Sequence, residues 1–148
     1  MGEGEQWENA PMQELPFGKA EALLEGSSLA VISTGPVSCR ALEAAQSFPG
    51  LVGVYHFPFV KPLDTDMLES IATRYNIIVT AEDGCIAGGL FGAVSEYMAG
   101  HGHAVKIVPA GIPDKFVFHD SQARQRSMCN LDREGMEKIF QKFLEIPK

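Results

Sequence analysis

Two adjacent carboxylates, Glu82 and Asp83, stand between an apolar run and a glycine-rich turn in the stretch Ile77-Ile78-Val79-Thr80-Ala81-Glu82-Asp83-Gly84-Cys85-Ile86-Ala87-Gly88-Gly89-Leu90-Phe91-Gly92. Carboxylates at the end of a buried strand suit acid–base work or a metal site. They equally suit capping, because the first backbone N–H groups of a helix lack partners and attract negative charge. Neighbours on a strand point to opposite faces, so the pair does not converge on one reacting atom unless the turn reorients it. Gly84, Gly88, Gly89 and Gly92 could cradle an anion at the start of the following helix. Their spacing matches neither GxGxxG nor a P-loop, and the bland reading is a sharp turn with close approach of helix and strand.

Lys61 and Asp64, in Phe59-Val60-Lys61-Pro62-Leu63-Asp64, read as an exposed or ion-paired lysine and a helix cap, with anion contact by Lys61 as the functional alternative. His56, His101, His103 and His119 lack the HExxH or HxxxH spacing of a metal site. No GxSxG elbow occurs, and Ser33, Ser38 and Ser95 have no identifiable activating base. Lys115, Arg124, Arg126 and Arg133 form a locally basic tract, which reads as a solvated face or a contact for an acidic partner. The residues alone therefore describe a domain with no self-contained active site.

The elements that must position these residues follow from periodicity. A strand is expected at 17–24, a turn at Glu25-Gly26-Ser27-Ser28, and a strand at Leu29–Thr34. So short a connection predicts that these two strands pair antiparallel. Gly35-Pro36 breaks the strand and opens a helix whose Ala41, Ala44, Ala45 and Phe48 share a face, ended by Pro49-Gly50. A third strand is expected at 51–57, and a helix capped by Asp64 or Thr65 buries Leu68, Ile71, Ala72 and Tyr75. The strand at Ile77 and the helix bearing Leu90, Ala93, Val94, Tyr97 and Met98 come next, closed near Gly102. A fifth strand at 104–108, a loop through Gly111-Ile112-Pro113-Asp114, a short helix from about Ser121 and a last helix capped by Asp132 complete the order. Strands alternating with helices predict an α/β three-layer α/β/α domain with a five-stranded mixed sheet, mostly parallel with one antiparallel edge strand.

The chain has 148 residues, enough for one core. Residues 1–14 are polar, carry Glu3, Glu5, Glu8 and Glu14, and read as a linker or leading arm, with Trp7 as an apolar group in need of a surface. The domain proper is expected over 15–148. A net charge of −7 argues against nucleic acid or an anionic membrane as partner. No apolar run reaches the ~20 residues of a spanning helix, and the acidic N-terminus is unlike a secretory signal. Cys39, Cys85 and Cys129 are widely spaced with no CxxC, which fits plain thiols in a reducing cytoplasm.

Several stretches, taken in order, resemble the C-terminal domain of the transketolase superfamily, and within it the 1-deoxy-D-xylulose-5-phosphate synthases. They are Leu15-Pro16-Phe17-Gly18-Lys19, Phe59-Val60-Lys61-Pro62-Leu63-Asp64, the run Val79 to Gly92, Gly111-Ile112-Pro113-Asp114-Lys115-Phe116-Val117-Phe118-His119, and Leu131-Asp132 followed by Gly135-Met136. Gly2-Glu3-Gly4 is similar to residues just after the pyrimidine-binding domain of such enzymes. The resemblance implies a domain of a longer thiamine-diphosphate-dependent transferase that condenses decarboxylated pyruvate with glyceraldehyde 3-phosphate in isoprenoid and cofactor synthesis. It implies that thiamine diphosphate and magnesium are held by the N-terminal domain, with the activating glutamate on the pyrimidine-type domain. It also implies a homodimeric parent and an isolated chain that is inactive, with no catalytic, cofactor or metal residue of its own.

Under that resemblance the contact loops to other domains, or to an anion, would hold Lys61, Asp64, Glu82, Asp83, Gly84, Gly88, Gly89, Gly92, Asp114 and His119. The chain departs from the synthase pattern at Pro58, Lys115, Asp120 and Asn130. Pro58 stands where an arginine is usual, which removes a planar multi-donor group that lysine would not replace equally. A domain of another transketolase-like enzyme and a stand-alone anion-binding or assembly module are the alternative readings.

Overall fold

The computed structural model describes residues 14–145. Residues 1–13, with Trp7 and most of the expected linker or leading arm, lie outside the described residues. The elements are β1 (Glu21–Leu24), β2 (Leu29–Thr34), α1 (Val37–Ala45), β3 (Val52–His56), α2 (Thr65–Arg74), β4 (Ile77–Cys85), α3 (Leu90–Gly100), β5 (Lys106–Ile112), α4 (Gln122–Met128) and α5 (Arg133–Phe143). One five-stranded sheet has the order β1-β3-β2-β4-β5, with β1 antiparallel to β3 and the remaining pairs parallel. This is the expected mixed sheet with one antiparallel edge strand.

Strand alternation divides the core into two. Leu29 and Val31, Val52 and Val54, and Val79 and Ala81 pack with Val37, Ala41 and Ala44 of α1 and Met136 and Phe140 of α5. Ala30, Ile32, Tyr55 and Ile78 point the other way and pack with Leu68 and Ile71 of α2 and Leu90, Val94 and Met98 of α3. Both faces of β2 are therefore covered, which is why Leu29-Ala30-Val31-Ile32 reads as an unbroken apolar run.

Three expectations require correction. β1 is shorter than 17–24, and its partner is β3 rather than β2. The chain between β1 and β2 crosses the start of β3 instead of forming a hairpin. Gly26 makes the crossing possible: a Cβ there would lie 2.2 Å from the Gly53 nitrogen. The Tyr75 hydroxyl pins the same point, donating to the Gly26 carbonyl at 2.7 Å and accepting from its N–H at 3.2 Å. The fifth strand begins later and runs longer than 104–108, continuing through Pro109 and Gly111 to Ile112. Proline is tolerated there because β5 is an edge strand, one side of which needs no ladder bond. Finally, β4 runs past the carboxylates expected at its end: Gly84 and Cys85, read from the sequence as part of the turn, also belong to it.

Candidate functional site

The four parallel strands end on one edge of the sheet. Helices leave β2 and β4 toward opposite faces, α1 to one and α3 to the other, so the crevice between the ends of these adjacent strands is where an open α/β sheet places a ligand. Glu82 and Asp83 lie at that point. Glu82 shares its face with Ile78 and Thr80, toward α3, and is 6% exposed. Its carboxylate accepts the backbone N–H groups of Leu90 at 2.9 Å and Phe91 at 3.2 Å, the first two residues of α3. A Cβ on Gly89 would lie 2.0 Å from Glu82 Oε2, so the turn carries glycine where the carboxylate presses against the backbone. Gly84 flanks the same carboxylate, Gly88 adopts φ +78°, and a Cβ at Gly92 would meet open space.

Asp83 projects to the other face. Its Oδ2 accepts from an Arg40 Nη at 2.8 Å, while Arg40 Nε donates to the Leu131 carbonyl at 3.0 Å. Arg40 is 8% exposed, and these two hydrogen bonds tie α1, β4 and the residue before the α5 cap together. The two adjacent carboxylates thus act on opposite sides of the sheet and do not form an acid/base pair.

Asp64 is buried and serves as the N-cap of α2, accepting from the Met67 N–H at 3.2 Å and from the Ala20 N–H at 2.9 Å. Lys19 lies 3.4 Å from the same carboxylate and 2.8 Å from Asp66. Burial pushes the Asp64 carboxyl upward, but the Ala20 and Met67 N–H groups and Lys19 outweigh it and hold the group below its ordinary value. Lys61, Asp114 and His119 are exposed. Lys61 and His119 occupy different loops, after β3 and after β5. In the basic tract, Arg124 pairs with Asp120 at 3.4 Å and Arg133 with Glu137 at 2.9 Å.

The same edge carries exposed apolar groups. Phe116 is 97% exposed, Phe118 81% and Phe17 77%, and Phe17 stacks edge-on against Phe59 at 5.2 Å between ring centres. Phe59 lies in the loop after β3, Phe116 and Phe118 lie in the loop after β5, and Phe17 precedes the antiparallel β1. The topology therefore brings these aromatic loops to one end of the sheet.

Sequence reasoning missed a base for Ser38. The Ser38 hydroxyl lies 2.8 Å from His56 Nδ1 and 2.8 Å from Ser33 Oγ. The three residues come from the start of α1, the end of β3 and the end of β2. Their sequence separation hid the group, and only the adjacency of β2 and β3 brings it together. Alternation gives the available signal, since Ser33 continues the Leu29, Val31 face and His56 continues the Val52, Val54 face.

A family model described as "Transketolase, C-terminal domain" matches residues 18–136. The chain belongs to the transketolase C-terminal domain family. It is 39% identical over 140 residues to the 1-deoxy-D-xylulose-5-phosphate synthase of Bacteroides fragilis, covering 92% of this chain and 22% of that protein. The synthase of Nitrosococcus oceani is 40% identical over 127 residues, covering 86% of this chain and 20% of its own length. This chain thus spans about a fifth of the curated relatives it matches. Among solved structures, a split-gene transketolase described as an inactive beta4 tetramer superposes with a TM-score of 0.79 at 26% identity, covering 92% of this chain and 45% of that one. A transketolase from Leishmania mexicana shares the fold, with a TM-score of 0.61 over 88% of this chain and 19% of its own.

Membership in this family raises the question of its cofactor. Among the described residues, no group of three or more His, Cys, Asp or Glu side chains is placed to hold a metal ion. The helix start best suited to a diphosphate, that of α3, already receives Glu82. A diphosphate at that helix start would meet the Glu82 carboxylate. No described helix is long and apolar enough to cross a membrane.

Proposed function

We propose that this chain is the assembly domain of a cytoplasmic thiamine-diphosphate-dependent transferase of the 1-deoxy-D-xylulose-5-phosphate synthase type, with the cofactor and metal bound by other domains of a homodimeric parent. The parent condenses pyruvate, after decarboxylation, with glyceraldehyde 3-phosphate. This domain contributes shape and contact area and takes no part in proton or electron transfer in that reaction. The observation that carries the reading is the exposed aromatic set Phe17, Phe116 and Phe118 on the carboxyl-end loops. Large apolar side chains gathered on loops mark an interaction surface rather than a solvated one. The loops that carry them are those that resemble the synthases.

Domain exchange tests this. The chain replaces the matching C-terminal segment of the Bacteroides fragilis synthase, and dimerisation and product formation are measured. An active, dimeric chimera is expected, and substituting Phe116 and Phe118 by serine is expected to weaken its assembly at least tenfold while leaving the domain folded. A chimera that folds and dimerises without turnover, or turnover of pyruvate and glyceraldehyde 3-phosphate by the 148-residue chain alone, would refute the reading.

A further inference from the structure

We propose that Ser38 and His56 form a nucleophile–base pair that accepts short acyl groups from activated esters, a function separate from the thiamine-diphosphate reading above. Ser33 Oγ donates to Ser38 Oγ at 2.8 Å, with the Tyr55 carbonyl a longer alternative acceptor at 3.2 Å. In the Nε2–H tautomer of His56 the Ser38 hydroxyl donates to Nδ1, also at 2.8 Å. Nδ1 is then the unprotonated nitrogen, the form a general base requires. Burial pushes the His56 imidazole down from its ordinary value, against the opposing pull of Glu21 and the Ser33 carbonyl, so the ring is neutral at pH 7. Glu21 stands directly across the β1–β3 ladder from His56, on the same face. Its charge acts on the ring through space and favours the imidazolium when it forms.

A cavity of about 420 Å³ opens beside the pair, lined by Leu23, Gly35, Pro36, Ser38, Cys39 and His56. Its volume lies within the range of small-molecule sites, and its Leu23 and Pro36 walls suit a short aliphatic acyl chain. Ser38 is the second residue of α1, so negative charge developing on the carbonyl oxygen forms near the positive end of that helix.

The step balances with water as the second reactant. Ser38 Oγ bonds to the ester carbonyl carbon while its proton passes to His56 Nδ1. The carbon–oxygen bond to the alcohol breaks, and the departing alkoxide takes that proton. Water then attacks the acyl-serine, giving one proton through His56 back to Ser38 and releasing the carboxylic acid.

The full chain is incubated with p-nitrophenyl acetate and p-nitrophenyl butyrate. The readouts are p-nitrophenolate release and the position of the acyl adduct by peptide mass mapping. An adduct on Ser38 is expected, absent in Ser38→Ala and formed about 100-fold more slowly in His56→Gln. Leu23→Trp, which fills the cavity and leaves the pair intact, is expected to slow butyrate more than acetate. Acylation confined to lysines or to Cys39, or equal rates in wild type and His56→Gln, would overturn the proposal. The wild-type adduct map decides the matter even if a variant fails to fold.

Discussion

Replacing Glu82 by glutamine separates a capping carboxylate from a catalytic or metal-binding one. The substitution preserves shape but places an NH₂ group against one of two backbone donors, the Leu90 N–H at 2.9 Å or the Phe91 N–H at 3.2 Å. One hydrogen bond to a charged acceptor is lost, and its donor is left facing another donor in a site that is 6% exposed. Hydrogen bonds to charged groups contribute about 1.5–3 kcal/mol each, so this is the expected loss of stability. At about 3 °C per kcal/mol for a chain of this size, Tm falls by about 5–9 °C. Glu82→Ala orphans both donors and is expected to cost about 3–5 kcal/mol, part of the gross loss being offset because no carboxylate is desolvated. Gly89→Ala adds a diagnostic. Its Cβ would lie 2.0 Å from Glu82 Oε2 and 2.6 Å from the Cys85 carbonyl. In the Glu82→Ala background the first clash is gone and the second remains. The double mutant is therefore expected to be about 1–2 kcal/mol more stable than the sum of the single effects. Urea unfolding of the four chains, with equal m-values, provides the cycle. Glu82→Gln within about 0.5 kcal/mol of wild type, or strict additivity with Gly89→Ala, would refute the capping argument, since surface carboxylates vary by no more than that.

Two further outcomes follow from buried polar anchors. Asp64→Ala removes the acceptor for the Met67 and Ala20 N–H groups and is expected to cost about 2–4 kcal/mol. Because the folded Asp64 carboxyl titrates below its unfolded value of 3.8, its contribution is present above that pH and lost as pH falls through the lower folded value. The wild-type urea midpoint should therefore fall more steeply than that of Asp64→Ala below about pH 4, and parallel profiles would count against the assignment. Tyr75→Phe deletes the hydroxyl that bridges Gly26 and the Tyr55 hydroxyl, with an expected cost of about 1–3 kcal/mol. Hydrogen exchange should accelerate at residues 25–28, and unchanged protection there would show that the crossing does not depend on this anchor.

The parts of the fold legible in the sequence are those set by local chemistry. The apolar run of β2 announces a strand covered on both faces, and Asp64 and Asp132 announce the starts of α2 and α5 because a short carboxylate can reach an N–H three residues on. The opposed faces of Glu82 and Asp83 follow from strand alternation alone. What could not be read depends on which strands become neighbours. The short turn at Gly26 favours a hairpin locally, yet the backbone of Val52–Gly53 passes directly beneath it. The partnership of Arg40 with Asp83 spans 43 positions, and that of Ser38 in α1 with His56 in β3 spans 18. Neither pair leaves a spacing signal.

The crevice between β2 and β4 shows why the usual place for a ligand is a poor candidate here. An anion would be drawn to the first N–H groups of α3, but Glu82 supplies that negative charge from within the chain. A phosphate arriving there would have to displace a buried carboxylate held by two hydrogen bonds and would then face its charge. On the other face, Asp83 draws Arg40 into a link between α1, β4 and the start of α5, so the strong cation nearest the crevice is committed to structure. The remaining unspent features of this edge are apolar loops and, one strand away at the end of β3, a hydroxyl facing a neutral imidazole. Aromatic side chains gain most by burial against another protein surface, whereas the Ser38–His56 pair gains nothing from such burial and requires an open cavity. The two features therefore make opposing demands on the same edge. If the domain docks through Phe116 and Phe118, after β5, the β3 end of the sheet can stay open; if docking extended over Leu23 and His56, acylation of Ser38 would be lost on assembly.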